Sequence, residues 1–319
     1  MIEVEALVKD YGGLRAVDRL SFEVAEGEIV GFLGPNGAGK TTTIRVLTGY
    51  HAATSGRAVV AGHDVFTDSL ASRRLLSYLP ENVPLYPDLR VEEYLRFRAA
   101  LKGVPRRERR AAVALAMEQA GVVEVRRKLC NQVSRGYRQR VGLADALVSA
   151  PPILILDEPT SGLDPIQRGR IRTLVRSLAG RHTVLFSSHI LSDVEEVCDR
   201  IVLIHEGVKR ADGTLAELAT QLGRREVRVE VAADGDRVRA LFDGLDGLGA
   251  PELDAERGGF VLARGPLAPG VEAGPVLDAL AARLRGGDLA FRQVHLHEPS
   301  LEEMFASLTS GARVEEDAA

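Results

Sequence analysis

Gly34-Pro35-Asn36-Gly37-Ala38-Gly39-Lys40-Thr41 is the stretch on which the fold turns. The apolar run Ile29-Phe32 leads into it and the helical run Thr42-Leu47 leads out of it. It matches the phosphate-binding pattern G-x-x-x-x-G-K-[ST] at every fixed position. Its glycines let backbone amides turn inward around phosphate oxygens, while the start of the helix presents its partial positive charge to them. Lys40 then suits the outer phosphates and the Thr41 hydroxyl suits magnesium. A plain glycine-rich turn is the bland alternative, and the strand and helix on its flanks speak against it.

Further along, Ile153-Leu154-Ile155-Leu156-Asp157-Glu158 sets four apolar residues before two acids. A buried strand of this kind delivers its carboxylates to the C-terminal edge of an open sheet, where ligands sit. Asp157 suits a magnesium shell, through a water, and Glu158 suits a general base on an attacking water. Acids after a strand are often only solvated loop residues; their place downstream of a phosphate-binding loop favours the chemical role.

The surrounding chain sets limits. Its 319 residues suggest two domains at roughly 150 residues each. Lys+Arg at 41 against Asp+Glu at 45 leaves a net charge of −4, so no general basic excess exists to hold nucleic acid or an anionic membrane surface. Only five of the cations are lysines, Lys9, Lys40, Lys102, Lys128 and Lys209, which makes Lys40 conspicuous. Cys130 and Cys198 cannot build a disulfide framework and point to a reducing compartment. The acidic start Met1-Glu5 lacks the pattern of an export signal. No run reaches the roughly 18 apolar residues of a membrane span.

Residues 1 to about 220 alternate β-rich runs with amphipathic helical stretches, the pattern of a mainly parallel sheet flanked by helices. Ile29-Phe32, Ile153-Leu156, Thr183-Ser187 and Ile201-Ile204 are apolar enough to be strands buried on both faces. Leu89 to Gly121 reads as a helical insertion with Tyr94, Leu95, Phe97 and Leu101 on one face and a bend at Pro105-Arg107. After Leu222 the composition shifts toward Gly and Pro. Strands are predicted at Glu226-Val231, Pro251-Glu256, Gly259-Ala263 and Leu289-His297, with helices at Arg237-Phe242 and Val276-Arg285. That order, βαββαβ, is the split-βαβ or ferredoxin-like arrangement. Ser300 and Glu303 form a capping box for a last helix bearing Leu301, Met304, Phe305 and Leu308.

Tyr11, the loop from Gly34 to Thr42, Val133-Ser134-Arg135-Gly136-Tyr137-Arg138-Gln139-Arg140, Asp157-Glu158, Ser161-Gly162-Leu163-Asp164 and His189 follow one another in a recognisable order. In order and spacing the set resembles an ABC transporter ATP-binding subunit over about two-thirds of the chain. The octet from Val133 resembles the family's signature sequence. Tyr78-Leu79-Pro80-Glu81 and Ser300-Phe305 look most like the exporter branch for drugs, polysaccharides and gliding motility.

The resemblance implies a P-loop NTPase cassette of α/β class over 1–222, with a helical subdomain at about 82–145. A small α+β, ferredoxin-like domain at 223–310 and a disordered tail at 311–319 would follow. It also implies two ATP molecules sandwiched between two such subunits arranged head to tail, as a homodimer or heterodimer. Gly34, Pro35, Asn36, Gly37, Ala38, Gly39, Lys40, Thr41 and Thr42 would then hold phosphate, and Tyr11 would stack on adenine. Ser134 and Gly136, opening a helix from Tyr137 to Val148, would act on the partner's nucleotide. His189 would hold the γ-phosphate and the attacking water beside Glu158 and Lys40. Asp164 would lie at the dimer seam, its bland alternative being a helix N-cap before Pro165. Thr41, Glu81 and Asp157 would share Mg2+.

Two departures stand out. Arg135 and Tyr137 occupy positions where the family usually has glycine and glutamine, and Glu81 stands where a glutamine usually senses the membrane partner.

The leading expectation is an ATPase that powers export by a separate multi-span membrane subunit, cytoplasmic and peripheral on the cytoplasmic face of the cell membrane. The region Glu81-Asp88 and the helical insertion are its expected docking place. A soluble ABC ATPase acting on nucleic acid or ribosomes is the alternative; the acidic balance, the single cassette and the short stretch between loop and signature count against it. A binding-only module has no need of Glu158. His295 and His297 share a strand face but lack a third ligand of suitable spacing, and Arg106 to Arg110 reads as a solvated face, with acidic lipid as the alternative contact.

Overall fold

The computed structural model describes residues 1–222, 225–254, 258–300 and 303, and it divides into two units, Met1–Leu215 and Ala216–Ala319. The first opens with β1 (Ile2–Tyr11), β2 (Leu14–Val24), β3 (Ile29–Leu33), α1 (Lys40–Leu47), β4 (Ser55–Val60) and β5 (His63–Asp64). Next come α2 (Ser69–Leu75), β6 (Leu76–Leu79), α3 (Val91–Leu101), α4 (Arg109–Gln119) and α5 (Arg135–Leu147). β7 (Ile153–Asp157), α6 (Pro165–Arg176), β8 (Thr183–Ser188), α7 (Leu191–Val197), β9 (Arg200–His205) and β10 (Val208–Gly213) follow, and α8 (Leu215–Leu222) starts at the boundary and belongs, but for Leu215, to the second unit.

The four apolar runs become β3, β7, β8 and β9, the inner strands of a sheet ordered β10-β9-β3-β8-β7-β6. Every pair from β9 to β6 is parallel, and only the hairpin strand β10 runs antiparallel to its neighbour. All residues of β3, β7 and β8 are buried. This is why they read as continuous apolar runs rather than alternating ones.

A second sheet, antiparallel and ordered β2-β1-β4-β5, goes beyond the expected single parallel sheet. Its first strand hides its period. Ala6 has a φ of 43° and the β1–β2 register shifts between Val4 and Leu7. Such a bulge breaks the two-residue alternation by which a strand is read. One buried cluster spans the two sheets and α1, with Ile2, Leu20 and Phe22 from the antiparallel sheet, Ile44 and Leu47 from α1, and Phe32, Ile155 and Val202 from the parallel sheet. Each such side chain contributes about 1.5–3 kcal/mol by leaving water.

The helical insertion is two helices, α3 and α4, parted at the bend expected at Pro105-Arg107, and it begins at Val91 rather than Leu89. Tyr94 and Leu95 are buried on α3, but Phe97 and Leu101 are exposed, so the predicted four-residue face is corrected to one that buries Val91, Tyr94, Leu95 and Ala99. Phe97 instead meets Tyr86, with ring centroids 5.5 Å apart. A buried carboxylate fastens α3 to α5. Asp145 accepts from Tyr94 Oη at 3.3 Å and Arg98 Nε at 3.0 Å, and pairs with Lys102 at 3.2 Å. Lys102 also donates to Ser77 on β6 at 3.3 Å, and burial pushes its ammonium below the usual lysine range.

The second unit contains β11 (Glu226–Val231), α9 (Gly235–Phe242), β12 (Glu252–Leu253), β13 (Val261–Pro266), α10 (Ala273–Gly286) and β14 (Phe291–His297). Its sheet order is β12-β13-β11-β14 and all pairs are antiparallel. The valines of Glu226-Val231 alternate into a core with Val238, Phe242, Leu280 and Leu284. β12 falls within the expected Pro251-Glu256, of which residues 255 and 256 lie outside the described residues, and β13 runs later than expected, Val261–Pro266 rather than Gly259-Ala263. Glu303 accepts from the Ser300 amide at 2.8 Å and its own amide donates to Ser300 Oγ at 3.2 Å, the reciprocal pattern of a capping box. Leu301, Met304, Phe305 and Leu308, and the tail from Gly311, lie outside the described residues.

Candidate functional site

The loop between β3 and α1 is shaped by contacts that admit only glycine at two places. A Cβ on Gly34 would stand 2.4 Å from the Ile204 carbonyl oxygen. Gly39 has a φ of +101°, and a Cβ there would stand 2.6 Å from the Ala16 carbonyl oxygen. With those positions met, α1 begins at Lys40 itself, two residues earlier than its apolar pattern suggests, and the chain wraps a concave site ahead of the helix N-terminus.

Lys40 is buried, and its Nζ donates to the carbonyls of Gly34 at 2.6 Å and Pro35 at 3.2 Å. The same ammonium lies 3.1 Å from Glu158 Oε1. The other carboxylate oxygen of Glu158 is 2.7 Å from His189 Nδ1. Glu158 thus sits between a cation and an imidazole. Its φ of 48° is a left-handed conformation that costs a non-glycine residue of order 1 kcal/mol, and its amide is held by Ser187 Oγ at 3.0 Å.

Asp157 ends β7 with 1% of its surface exposed. It accepts from Ser187 Oγ at 2.7 Å, Tyr78 Oη at 3.3 Å and Thr41 Oγ1 at 3.5 Å. Burial raises its carboxyl above the ordinary range, against the lowering effect of the Ser187 and Thr41 hydrogen bonds. Burial, with the Asp157 charge beside it, pushes the Tyr78 phenol up as well.

Pro35, Asn36, Gly37, Gly39, Lys40, Thr41 and Thr42 line one cavity together with Glu81, Glu158 and His189. Ala16 and Ser161 join that wall, and Ser161 Oγ donates to Glu81 Oε1 at 3.4 Å. Residues from the loop, the β7 edge, the β8 edge and the β6 edge therefore meet, as their predicted chemistry requires.

Other sequence-selected residues stand apart from this wall within the chain. Tyr11 is 39% exposed, faces His51 edge-on at 5.8 Å and carries Lys9 over its ring at 4.9 Å. Ser134 caps α5, its Oγ accepting from the Tyr137 amide at 3.4 Å. Asp164 caps α6, accepting from the Gln167 amide at 3.0 Å with Pro165 in the first turn. Arg135 explains its own departure from glycine: Nη2 donates to the Ser161 carbonyl at 3.0 Å and the guanidinium covers Gly162, tying α5 to the segment before α6. His297 pairs with Glu303 at 3.3 Å. Within Arg106 to Arg110, Arg107 pairs with Glu108 and Arg109 donates to the Val104 carbonyl.

Sequence reasoning missed Tyr78 and Ser187 as partners of Asp157. Ser187 lay at the C-terminal end of a strand already recognised, which was the available signal.

A phosphate loop opening a helix, facing paired acids at the edge of a parallel sheet, defines a nucleotide-binding ATPase of the α/β class. The family model described as ABC transporter matches residues 17–161. The chain is 34% identical over 319 residues to the daunorubicin resistance ATP-binding protein DrrA3 of Streptomyces coeruleorubidus, covering 100% of this chain and 98% of that protein. It is 40% identical over 221 residues to the uncharacterized ABC transporter ATP-binding protein YxlF of Bacillus subtilis, covering 69% and 73%. Among solved structures, the ATP-binding cassette MJ0796 in a dimeric post-hydrolysis state, bound to ADP and Pi, superposes with a TM-score of 0.62 at 25% identity, covering 67% of this chain and 99% of that one. The chain belongs to the ABC transporter family, as an ATP-binding subunit that hydrolyses ATP to power transport with a separate membrane subunit. No helix among the described residues is long and apolar enough to cross a membrane.

Proposed function

We propose that this subunit powers export, with Glu158 as the general base of ATP hydrolysis. The observation that carries the reading is the placement of Glu158 between Lys40 at 3.1 Å and His189 at 2.7 Å, on the wall of the phosphate cavity. Lys40 bears the phosphate charge and steadies the carboxylate; His189 orients it and can accept a hydrogen bond from, or donate one to, the γ-phosphate region. The amides of Gly37, Gly39, Lys40, Thr41 and Thr42 on the cavity wall hold the phosphate oxygens, and Tyr11, an exposed aromatic at the end of β1, offers its face to adenine.

Thr41, Asp157 and Glu81 form a set of hard oxygen donors, the kind Mg2+ takes beside nucleotide phosphates. The 3.5 Å approach of Thr41 Oγ1 to Asp157 Oδ1 supports a shared site for them. When bound, Mg2+ supplies charge neutralisation to the phosphates.

Ser134, Gly136 and Asp164 belong in this reading to a head-to-tail dimer, where the capped start of α5 addresses the partner's γ-phosphate. The relative named for daunorubicin resistance supports an exporter, which would work on the cytoplasmic face of the cell membrane. We further assign 1–222 to the ATPase domain, with its helical subdomain at about 82–145, and 223–310 to an accessory domain.

Replacing Glu158 by Gln keeps the side chain's size and removes its basicity. Turnover is expected to fall by about 10²–10⁴-fold while ATP affinity measured by equilibrium binding is retained. Unchanged turnover would remove Glu158 from the role.

A further inference from the structure

Four arginines line one cavity of about 750 Å3 that the nucleotide chemistry does not use. Arg126 and Arg127 come from the segment after α4, Arg140 from α5 and Arg170 from α6. Arg140 is 5% exposed. Its Nη1 donates to the Gly121 carbonyl at 2.7 Å and its guanidinium lies over the Tyr137 ring at 4.2 Å, while Nε and Nη2 have no hydrogen-bond partner. Among the described residues no carboxylate stands within ion-pair distance of it. Glu124, the acid on this wall, is engaged by the Tyr137 hydroxyl. Nor do the guanidinium groups of Arg126, Arg127 or Arg170 have a carboxylate partner among the described residues.

A buried charge without a counter-charge is costly, and a cleft with four guanidinium groups to one carboxylate on its wall concentrates anions. Planar guanidinium forks match phosphate oxygens two at a time. The cavity falls in the size range of sites for whole small molecules and greatly exceeds a single phosphate group. We propose that it binds a multiply charged, phosphate-bearing anion, gripped by Arg126, Arg127 and Arg170 against the fixed charge of Arg140. Such an anion would join the helical layer to α6, the elements whose first turns are capped by Ser134 and Asp164.

The test titrates tripolyphosphate into the full chain already saturated with ADP and Mg2+, by calorimetry at low ionic strength. One further equivalent is expected to bind. The double variant Arg126→Glu/Arg170→Glu should weaken that equivalent by about tenfold or more, with ADP affinity held within about twofold as the check on folding. Absence of a further equivalent, or equal affinity in the double variant, would overturn the proposal. So would loss of the binding in Lys40→Ala, which would trace the heat to the phosphate loop. Flotation with cardiolipin–phosphatidylcholine vesicles separates the sources. Vesicle binding that the double variant loses and tripolyphosphate displaces identifies a lipid headgroup; tripolyphosphate binding without vesicle binding identifies a soluble anion.

Discussion

Asp157 shows how a single site residue sets function against stability. Its carboxyl is raised mainly by burial, so the folded chain holds a proton there more readily than the unfolded chain does. The stabilising contribution of that proton is present below the unfolded carboxylate pKa and is lost as pH rises through the higher folded value. At neutral pH the ionised group therefore weighs against folding. Asp157→Asn should raise Tm in a calorimetric scan at pH 7, while lowering Mg2+-dependent turnover by about 10²-fold or more. A lower Tm would mean that the bonds from Ser187 and Tyr78 to a charged oxygen outweigh burial. The loop and the acid pair were readable from adjacent residues, whereas Tyr78 and Ser187 were not. Both reach Asp157 only through sheet register, Ser187 opposite Asp157 and Tyr78 opposite Ile155 on the next strand.

Between elements, the buried polar contact of α5 with α3 has the largest consequence. Asp145 gathers Tyr94, Arg98 and Lys102, and Lys102 extends the contact to β6. Removing the one acid would leave two cations and a phenol facing each other in a largely desolvated place. Asp145→Ala is expected to cost about 3 kcal/mol in urea unfolding, far more than an exposed ion pair such as Arg107 with Glu108 would. A loss below about 1 kcal/mol would show that water reaches the cations. None of this is visible as a motif, since an acid inside a signature-helix sequence carries no mark of its partners. The same holds for Phe97 and Leu101: apolar spacing alone placed them inside, and the packing of α3 leaves them outside. In β1 the bulge at Ala6 had the opposite effect, concealing the inward places of Ile2, Val4, Leu7 and Val8.

For the whole molecule, the telling fact is that Ser134 and Gly136 are not among the residues lining the phosphate cavity. The dimer reading makes them useful. ATP should shift Glu158→Gln from monomer to dimer in sedimentation velocity, and ADP should not; persistent monomer with bound ATP would count against the head-to-tail arrangement. The phosphate loop, the acid pair, the inner strands and the alternating strand of the second unit are legible along the chain. Each is encoded in residues close together in the chain, where periodicity and turn chemistry act. The second sheet, the partners of Asp157 and Asp145, the tie from Arg135 to Ser161 and the arginine-lined cavity emerge in the folded chain alone. These depend on which distant segments meet, and that is settled by register and packing between elements rather than by any local pattern.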